Sequence, residues 1–352
     1  MLAKSTSRVV LLHQGSIGDF VLTLSVVQAV RAALPTEHAH VAAVASTSAA
    51  RLAAGRSAVD AWVSPEQVGL HTLFSQDGPV DARLATLLAE ADLLLSFLGD
   101  PCGPRHRRLQ QLSSGRVISV DPRPTPDLLT AGRHVTWQWL EAIRRQGMDV
   151  GEAAPAVIRL PGRQRFGHPG RAATQLANLL AVHPQKPVAP ASRRCDSGVS
   201  GCTLIHPGSG GPAKCWPLDR FIALADALTD AAITWMLGPA ELDGGQDCVA
   251  LLRQRAAARG EPLVIEEDLV EAARWMAGAD LYVGNDSGMT HVAAALGVPV
   301  VAIFGPTDPR VWRPLGDHIT VLAPAHPGEA ITTIEPQTVA QAISADSPAR
   351  GG

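Results

Sequence analysis

Asp280-Leu-Tyr-Val-Gly-Asn-Asp-Ser-Gly-Met-Thr-His291, continuing as Val292-Ala-Ala-Ala-Leu-Gly-Val-Pro-Val-Val-Ala-Ile-Phe304, contains one complete turn of a strand–helix–strand pattern. Asp280 to Gly284 is short and apolar and ends on glycine, which predicts a buried strand. From Ser287 to Leu296 the spacing predicts a helix: Met289, Val292, Ala293 and Leu296 fall at i, i+3, i+4 and i+7, so one face packs inward. Val298 to Phe304 is again apolar throughout and predicts a second strand. A helix joining two apolar strands is the crossover of a parallel sheet covered on both faces.

The same alternation extends in both directions. Upstream in this half, strands are predicted at Thr203 to His206, Ile233 to Leu237 and Pro262 to Ile265, with helices at Pro217 to Thr229, Leu242 to Arg259 and Leu269 to Ala277. In the first half, strands are predicted at Arg8 to His13, His40 to Ala45, Val59 to Val63, Asp92 to Leu98 and Arg116 to Val120. Helices are predicted there at Phe20 to Leu34, Val80 to Ala91 and His134 to Gln146. Between Pro184 and Gly201 the apolar period disappears into Pro, Ser and Gly, which reads as a linker or flexible loop. The expected organisation is therefore a first domain over 1–183, a linker over 184–202 and a second domain over 203–352. A closing helix, Pro336 to Ile343, is able to pack back on the first domain. The restart also repeats a small pattern: His13-Gln-Gly-Ser16 and His206-Pro-Gly-Ser209 each follow an apolar strand. The α/β reading is two doubly wound, Rossmann-like domains facing each other across a cleft, with ligands outside the carboxyl ends of the strands.

Composition narrows the function classes. The 352 residues are 46% hydrophobic and 18% charged with net charge −3, which excludes whole-chain disorder and shows no electrostatic footprint for nucleic acid. Five cysteines form no C-x-x-C pair, which argues against a zinc site and a disulfide framework and for a reducing compartment. Neither a secretory leader nor an apolar run long enough to span a bilayer is legible. A cytoplasmic chain is expected, and 27 arginines against three lysines leave peripheral contact with a membrane open.

Three loops are placed to carry chemistry. Gly15-Ser-Ile-Gly-Asp19 follows the first strand; its glycines permit close backbone approach, and Asp19 sits at a helix start. Helix capping is the alternative role for Asp19. The loop is not G-x-G-x-x-G and no acidic residue closes a second strand, which argues against a dinucleotide oxidoreductase. The second loop, His206-Pro-Gly-Ser-Gly-Gly-Pro-Ala-Lys-Cys-Trp-Pro217, combines exposed amides with the point charge of Lys214, a pairing suited to phosphate although not a P-loop. The third is Asn285-Asp-Ser-Gly288, where the amides of Ser287 and Gly288 at a helix start form a ready anion site. There Asp286 can equally be a cap, and His291 an ordinary core histidine. Asp268 with Glu271 reads as a capping-box variant. The basic run Arg105-His-Arg-Arg108 reads as a solvated helix face, with contact to an acidic acceptor as the alternative.

Taken together these loops resemble the heptosyltransferase-like glycosyltransferases of family 9. The matching stretches are Gly-Asp-Phe-Val at 18–21, His-Pro-Gly-Ser with Lys-Cys-Trp-Pro over 206–217, Asn-Asp-Ser-Gly-Met-Thr-His at 285–291, and Leu-Gly-Val-Pro-Val-Val-Ala-Ile-Phe-Gly-Pro-Thr-Asp-Pro at 296–309. The resemblance implies the two-domain GT-B fold and inverting, metal-independent transfer of a sugar, typically heptose from ADP-heptose, to a lipopolysaccharide-type glycan or glycolipid acceptor. It implies no cofactor and no nucleic-acid partner, and an enzyme of the cytoplasm, with contact at the inner face of the inner membrane left open. By the same resemblance Asp19 is the general base on an acceptor-side loop that includes Gly15, Ser16 and Gly18. Ser209 and Lys214 are donor-phosphate ligands, Asp286, Ser287, Gly288 and His291 belong to the donor-binding helix start, and Glu241 holds the ribose. Two positions depart from the family pattern: His13 stands where Arg or Lys is usual, and Cys215 where a second basic residue often follows the lysine. A nucleotide-sugar epimerase on the same fold, or a sugar-nucleotide-binding protein without activity, are the competing readings. Free epimerised sugar in the absence of acceptor would mark the former.

Overall fold

The computed structural model describes residues 6–36, 38–75, 78–160, 201–244, 246–326 and 329–346. The chain divides into two compact units, Met1–Pro190 and Ala191–Gly352. Most of the segment expected to be a linker, 184–200, lies outside the described residues.

The N-terminal unit runs β1 (Thr6–His13), α1 (Ile17–Ala33), β2 (His38–Ala45), α2 (Ser48–Ala53), β3 (Ala61–Val63), α3 (Ala82–Ala89), β4 (Leu93–Phe97), α4 (Pro104–Leu112), β5 (Arg116–Ser119), α5 (Pro126–Ala131) and α6 (Val135–Arg145). Its five strands are all parallel, in the order β3-β2-β1-β4-β5. β4 is buried along its whole length, as expected of a strand covered on both faces. The order reverses between β1 and β4, and the register sets His13 opposite Phe97. The loops that follow these two residues therefore leave the sheet side by side at the topological switch point, where doubly wound sheets bind ligands.

The C-terminal unit runs β6 (Cys202–His206), α7 (Leu218–Ala227), β7 (Ala232–Leu237), α8 (Pro239–Gly244), α9 (Gln246–Arg259), β8 (Leu263–Ile265), α10 (Leu269–Ala277), β9 (Leu281–Asn285), α11 (Gly288–Ala295), β10 (Val300–Ile303), α12 (Pro309–Trp312), β11 (Ile319–Leu322) and α13 (Pro336–Asp346). The six-stranded order is β11-β10-β9-β6-β7-β8, again all parallel. Its switch point lies between β6 and β9, with His206 opposite Gly284. The core gathers Trp216, Phe221, Trp235, Val283 and Ile303. The closing helix packs on α7 of its own unit and buries Val339 there.

Other differences are local. The predicted helix Leu242 to Arg259 is two helices, and β11, α2 and α5 lie outside the predicted elements. Of the thiols, Cys102, Cys215 and Cys248 are free, whereas Cys202 is disulfide-bonded.

Candidate functional site

In the N-terminal unit the loop after β1 closes on itself. Ser16 is the N-cap of α1: its Oγ accepts from the Asp19 amide at 3.3 Å, and Asp19 Oδ2 accepts from the Ser16 amide at 3.0 Å. The same oxygen also takes the Ser16 hydroxyl at 2.9 Å. Asp19 is thus the acidic member of a capping box, which satisfies helix amides that would otherwise lack partners. The capping role is realised, and it uses one carboxylate oxygen: Oδ1 makes no hydrogen bond among the described residues. Gly18 is buried behind this turn, and a Cβ on Gly15 would lie 2.8 Å from the His13 ring and 3.0 Å from Asp19.

His13, the departure from a basic residue, is fully buried between Phe20 and Phe97. Its Nδ1 accepts from the Gly15 amide at 3.1 Å. Burial pulls the imidazole down to about 4 against a smaller upward pull from Asp19. The folded chain therefore carries it neutral at pH 7, while the unfolded chain takes up its proton near 6.5 (about the reference value for His). His206, also buried, is lowered in the same direction by burial, partly opposed by Glu241. Between pH 6.5 and 4 the unfolded state binds more protons at His13, so stability falls on acidification, with a slope reaching roughly 1.4 kcal/mol per pH unit for that histidine, and His206 acts in the same direction. Urea unfolding at a series of pH values should show this fall, and His13→Asn, whose amide oxygen can still serve Gly15, should flatten it. A wild-type stability level across that window would contradict the assignment.

In the C-terminal unit the motifs from loops far apart in sequence converge. Lys214, in a 3₁₀ turn, donates from Nζ to Asp286 Oδ2 at 2.7 Å across a sequence separation of 72. The Asp286 side chain is 6% exposed and that of Lys214 38%, so a buried carboxylate is neutralised by the one lysine among the described residues. Ser209 Oγ donates to the Asp286 carbonyl at 2.9 Å. Ser287 caps α11 by accepting from the Thr290 amide, and Gly288 is the first residue of that helix. Ser209, Lys214, Asp286, Ser287 and Gly288 therefore share one place, at the positive end of a helix dipole. His291 is buried further along α11.

Glu241 lies beside this group but is turned inward. It is buried, with Oε2 accepting from the Gly238 amide at 2.5 Å and lying 3.7 Å from His206 Nε2. Oε1 sits against Gly208, where a Cβ would be 1.2 Å away, so only glycine admits the carboxylate. Burial pushes the Cys215 thiol up, and it carries the Tyr282 hydroxyl well above the usual phenol range. Among the described residues no group of three or more His, Cys, Asp or Glu is arranged to hold a metal ion, and no helix is long and apolar enough to cross a membrane.

Two features were not legible in the loops. Asn285 is fully buried and ties the second and third motifs together: its Oδ1 accepts from the Trp216 amide at 2.9 Å and its Nδ2 donates to the Pro207 carbonyl at 2.6 Å. An amide directly after an apolar strand was the available signal. The basic run at 105–108 lies in α4, directly after the switch-point loop of β4, and lines a groove instead of merely facing solvent.

A sequence profile of glycosyltransferase family 9 (heptosyltransferase) matches residues 179–339. Lipopolysaccharide heptosyltransferase 2 of Escherichia coli K12 is 36% identical over 114 residues, 32% of this chain and 33% of the relative. Lipooligosaccharide heptosyltransferase 2 of Haemophilus influenzae is 33% identical over 114 residues, covering the same shares. Over residues 179–339 the chain is similar to glycosyltransferase family 9. The aligned stretch spans about a third of the length of these curated relatives (33%). Over whole chains, the fold is similar to that of a family 9 glycosyl transferase from Veillonella parvula, with TM-score 0.63, 17% identity and 97% of each chain covered. It is similar also to the E. coli ADP-heptose lipopolysaccharide heptosyltransferase II, with TM-score 0.63, 19% identity, and 96% of this chain and 98% of that one covered. With the two parallel sheets, these likenesses give the chain the GT-B fold of two Rossmann-like domains.

Proposed function

We propose that this chain is an inverting, metal-independent glycosyltransferase that moves heptose from ADP-heptose to a lipopolysaccharide or related cell-surface glycan. The observation that carries the reading is the Lys214–Asp286 pair at the start of α11, with Ser209 tied to the same residue. An anion cradle of this kind suits a departing nucleoside diphosphate: the lysine supplies a full charge and the helix-start amides supply oriented donors. In the absence of donor, Asp286 occupies the lysine; an arriving diphosphate competes for it. In the N-terminal unit, Asp19 keeps one carboxylate oxygen outside the capping box. It takes the proton of the acceptor hydroxyl as that oxygen attacks the anomeric carbon, the bond to the diphosphate breaks, and the configuration inverts. Glu241 meets the ribose, for which its carboxylate must turn out from Gly208. The sugar and the acceptor class come from the names of the relatives, lipopolysaccharide and lipooligosaccharide heptosyltransferases.

A thermal-shift panel of ADP-, GDP- and UDP-sugars tests the donor. Ligand at about 100 times its Kd adds roughly 2.7 kcal/mol to apparent stability, a rise of several degrees. The expected result is a shift with ADP-sugars alone. Equal shifts with UDP- or GDP-sugars overturn the donor assignment, and no shift with any nucleotide sugar overturns the transferase reading.

A further inference from the structure

We infer that His206 is a positioning residue for Glu241, holding its carboxylate in the inward pose until a ribose with free hydroxyls draws it out; the ribose in this statement rests on the transferase reading. Glu241 lies in the first turn of α8, and its Oε2 reaches back to the Gly238 amide, the bond that a glutamate supplies to a capping box. Capping needs one oxygen and no burial. Here the side chains of His206 and Glu241 are 4% and 6% exposed, with Nε2 of the ring 3.7 Å from Oε2. Oε1 and His206 Nδ1 are both buried without a hydrogen-bond partner. The inward carboxylate therefore has fewer partners than water would give it, a position that needs something to hold it.

The fold is fitted to this pose. Gly208 does not have a positive φ, so its turn makes no demand for glycine; the space taken by Oε1 does. The imidazole is fixed as well. Tyr282 stacks on it, with ring centroids 6.3 Å apart and 24° between the planes. Opposite His206 in the sheet stands Gly284, where a Cβ would lie 2.9 Å from the Tyr282 hydroxyl and 3.1 Å from the His206 carbonyl. The matching pattern in the N-terminal unit spends His13 Nδ1 on the Gly15 amide. His206 Nδ1 takes no such bond, and the ring offers Nε2 to Glu241 instead. Burial favours the neutral ring and Glu241 pulls the other way, the sign expected of a facing carboxylate. A neutral ring in that setting carries its proton on Nε2, where it points at Oε2.

A hold of this kind acts against any ligand that needs the carboxylate outside. Apparent affinity falls by the fraction of chains in which Glu241 is already turned out. Weakening the hold therefore tightens binding, and only for ligands that engage the carboxylate. That sign separates positioning from structural support, because loss of support weakens the binding of every ligand alike.

The test uses the full chain with ADP and 2′,3′-dideoxy-ADP, which share base and diphosphate and differ only in the ribose hydroxyls. By calorimetric titration, His206→Leu should tighten ADP by about fivefold and leave the dideoxy nucleotide within about twofold. His206→Gln, whose Nε2 can still donate to Oε2, should restore the wild-type values. Without ligand, urea unfolding should show that His206→Leu lowers the folding equilibrium constant by about fivefold more in wild type than in the Glu241→Ala background. On the unsubstituted chain, the His206 imidazole signals in NMR should move with saturating ADP and stay in place with the dideoxy nucleotide. Additive stability losses, a His206→Leu effect shared by both nucleotides, or imidazole signals that move alike with both overturns the inference. Wild-type affinity indifferent to the hydroxyls overturns it too and leaves the diphosphate cradle standing. Binding of neither nucleotide, with the stability coupling intact, sinks the transferase reading and keeps His206 as the holder of Glu241.

Discussion

Asp19→Asn is expected to lower kcat by about a thousandfold, within the range for removing a general base, and to leave the affinity for ADP within about twofold. The asparagine is nearly isosteric, and its amide oxygen can still accept from Ser16, so the start of α1 survives. Capping changes at such positions cost about 0.5–2 kcal/mol, and the asparagine should sit at the lower end. The two roles of this residue separate cleanly for that reason. A residue that only caps would show the small stability loss with unaltered turnover, and that outcome would remove Asp19 from the mechanism. The distinction matters because Oδ2 is committed to Ser16 by two bonds, at 3.0 and 2.9 Å. On the proposed mechanism, proton abstraction falls to Oδ1.

Lys214→Ala is expected to raise the Kd for ADP by about 10- to 100-fold, the equivalent of one or two charge-assisted hydrogen bonds. It should also destabilise the chain, because Asp286 is left buried with its charge unmatched. Breaking a fully buried pair costs about 3–5 kcal/mol; with the lysine 38% exposed, water replaces part of what is lost and about 1–2 kcal/mol is the expected figure. Adding Asp286→Asn to Lys214→Ala removes the stranded charge. The double variant should regain stability without regaining affinity, as read by urea unfolding and by calorimetric titration with ADP. Equal ADP affinity in wild type and Lys214→Ala would contradict the cradle.

The architecture was legible because its signal is periodic. Fully apolar strands such as Leu93–Phe97 need cover on both faces, and the helices between them supply it, so the alternation of elements and the parallel pairing follow from the sequence. Boundaries were less legible where capping chemistry competes with apolar spacing: α1 begins at Ile17, ahead of the apolar run from Phe20, because Ser16 and Asp19 close a capping box there. β11, Ile319–Leu322, is only partly buried and carries too weak a pattern to stand out from its surroundings. The second and third loops were legible by residue type alone, glycine, serine and lysine before one helix and aspartate, serine and glycine before another. Their meeting was not.

By itself the sequence determined the fold class, the number of repeating units, and the loops with chemical potential, since these depend on local period and on the backbone freedom of particular residues. Tertiary structure decided which loops meet. Lys214 finds Asp286 because β6 and β9 are neighbours, and the Arg105 loop stands beside Asp19 because β4 pairs with β1. Strand order is a long-range choice, set by how the whole sheet packs, and no short stretch of residues encodes it. The same packing turned Glu241 inward against Gly208 and buried His13 as a neutral ring, for in each case the surroundings, and not the residue type, set the cost of charge.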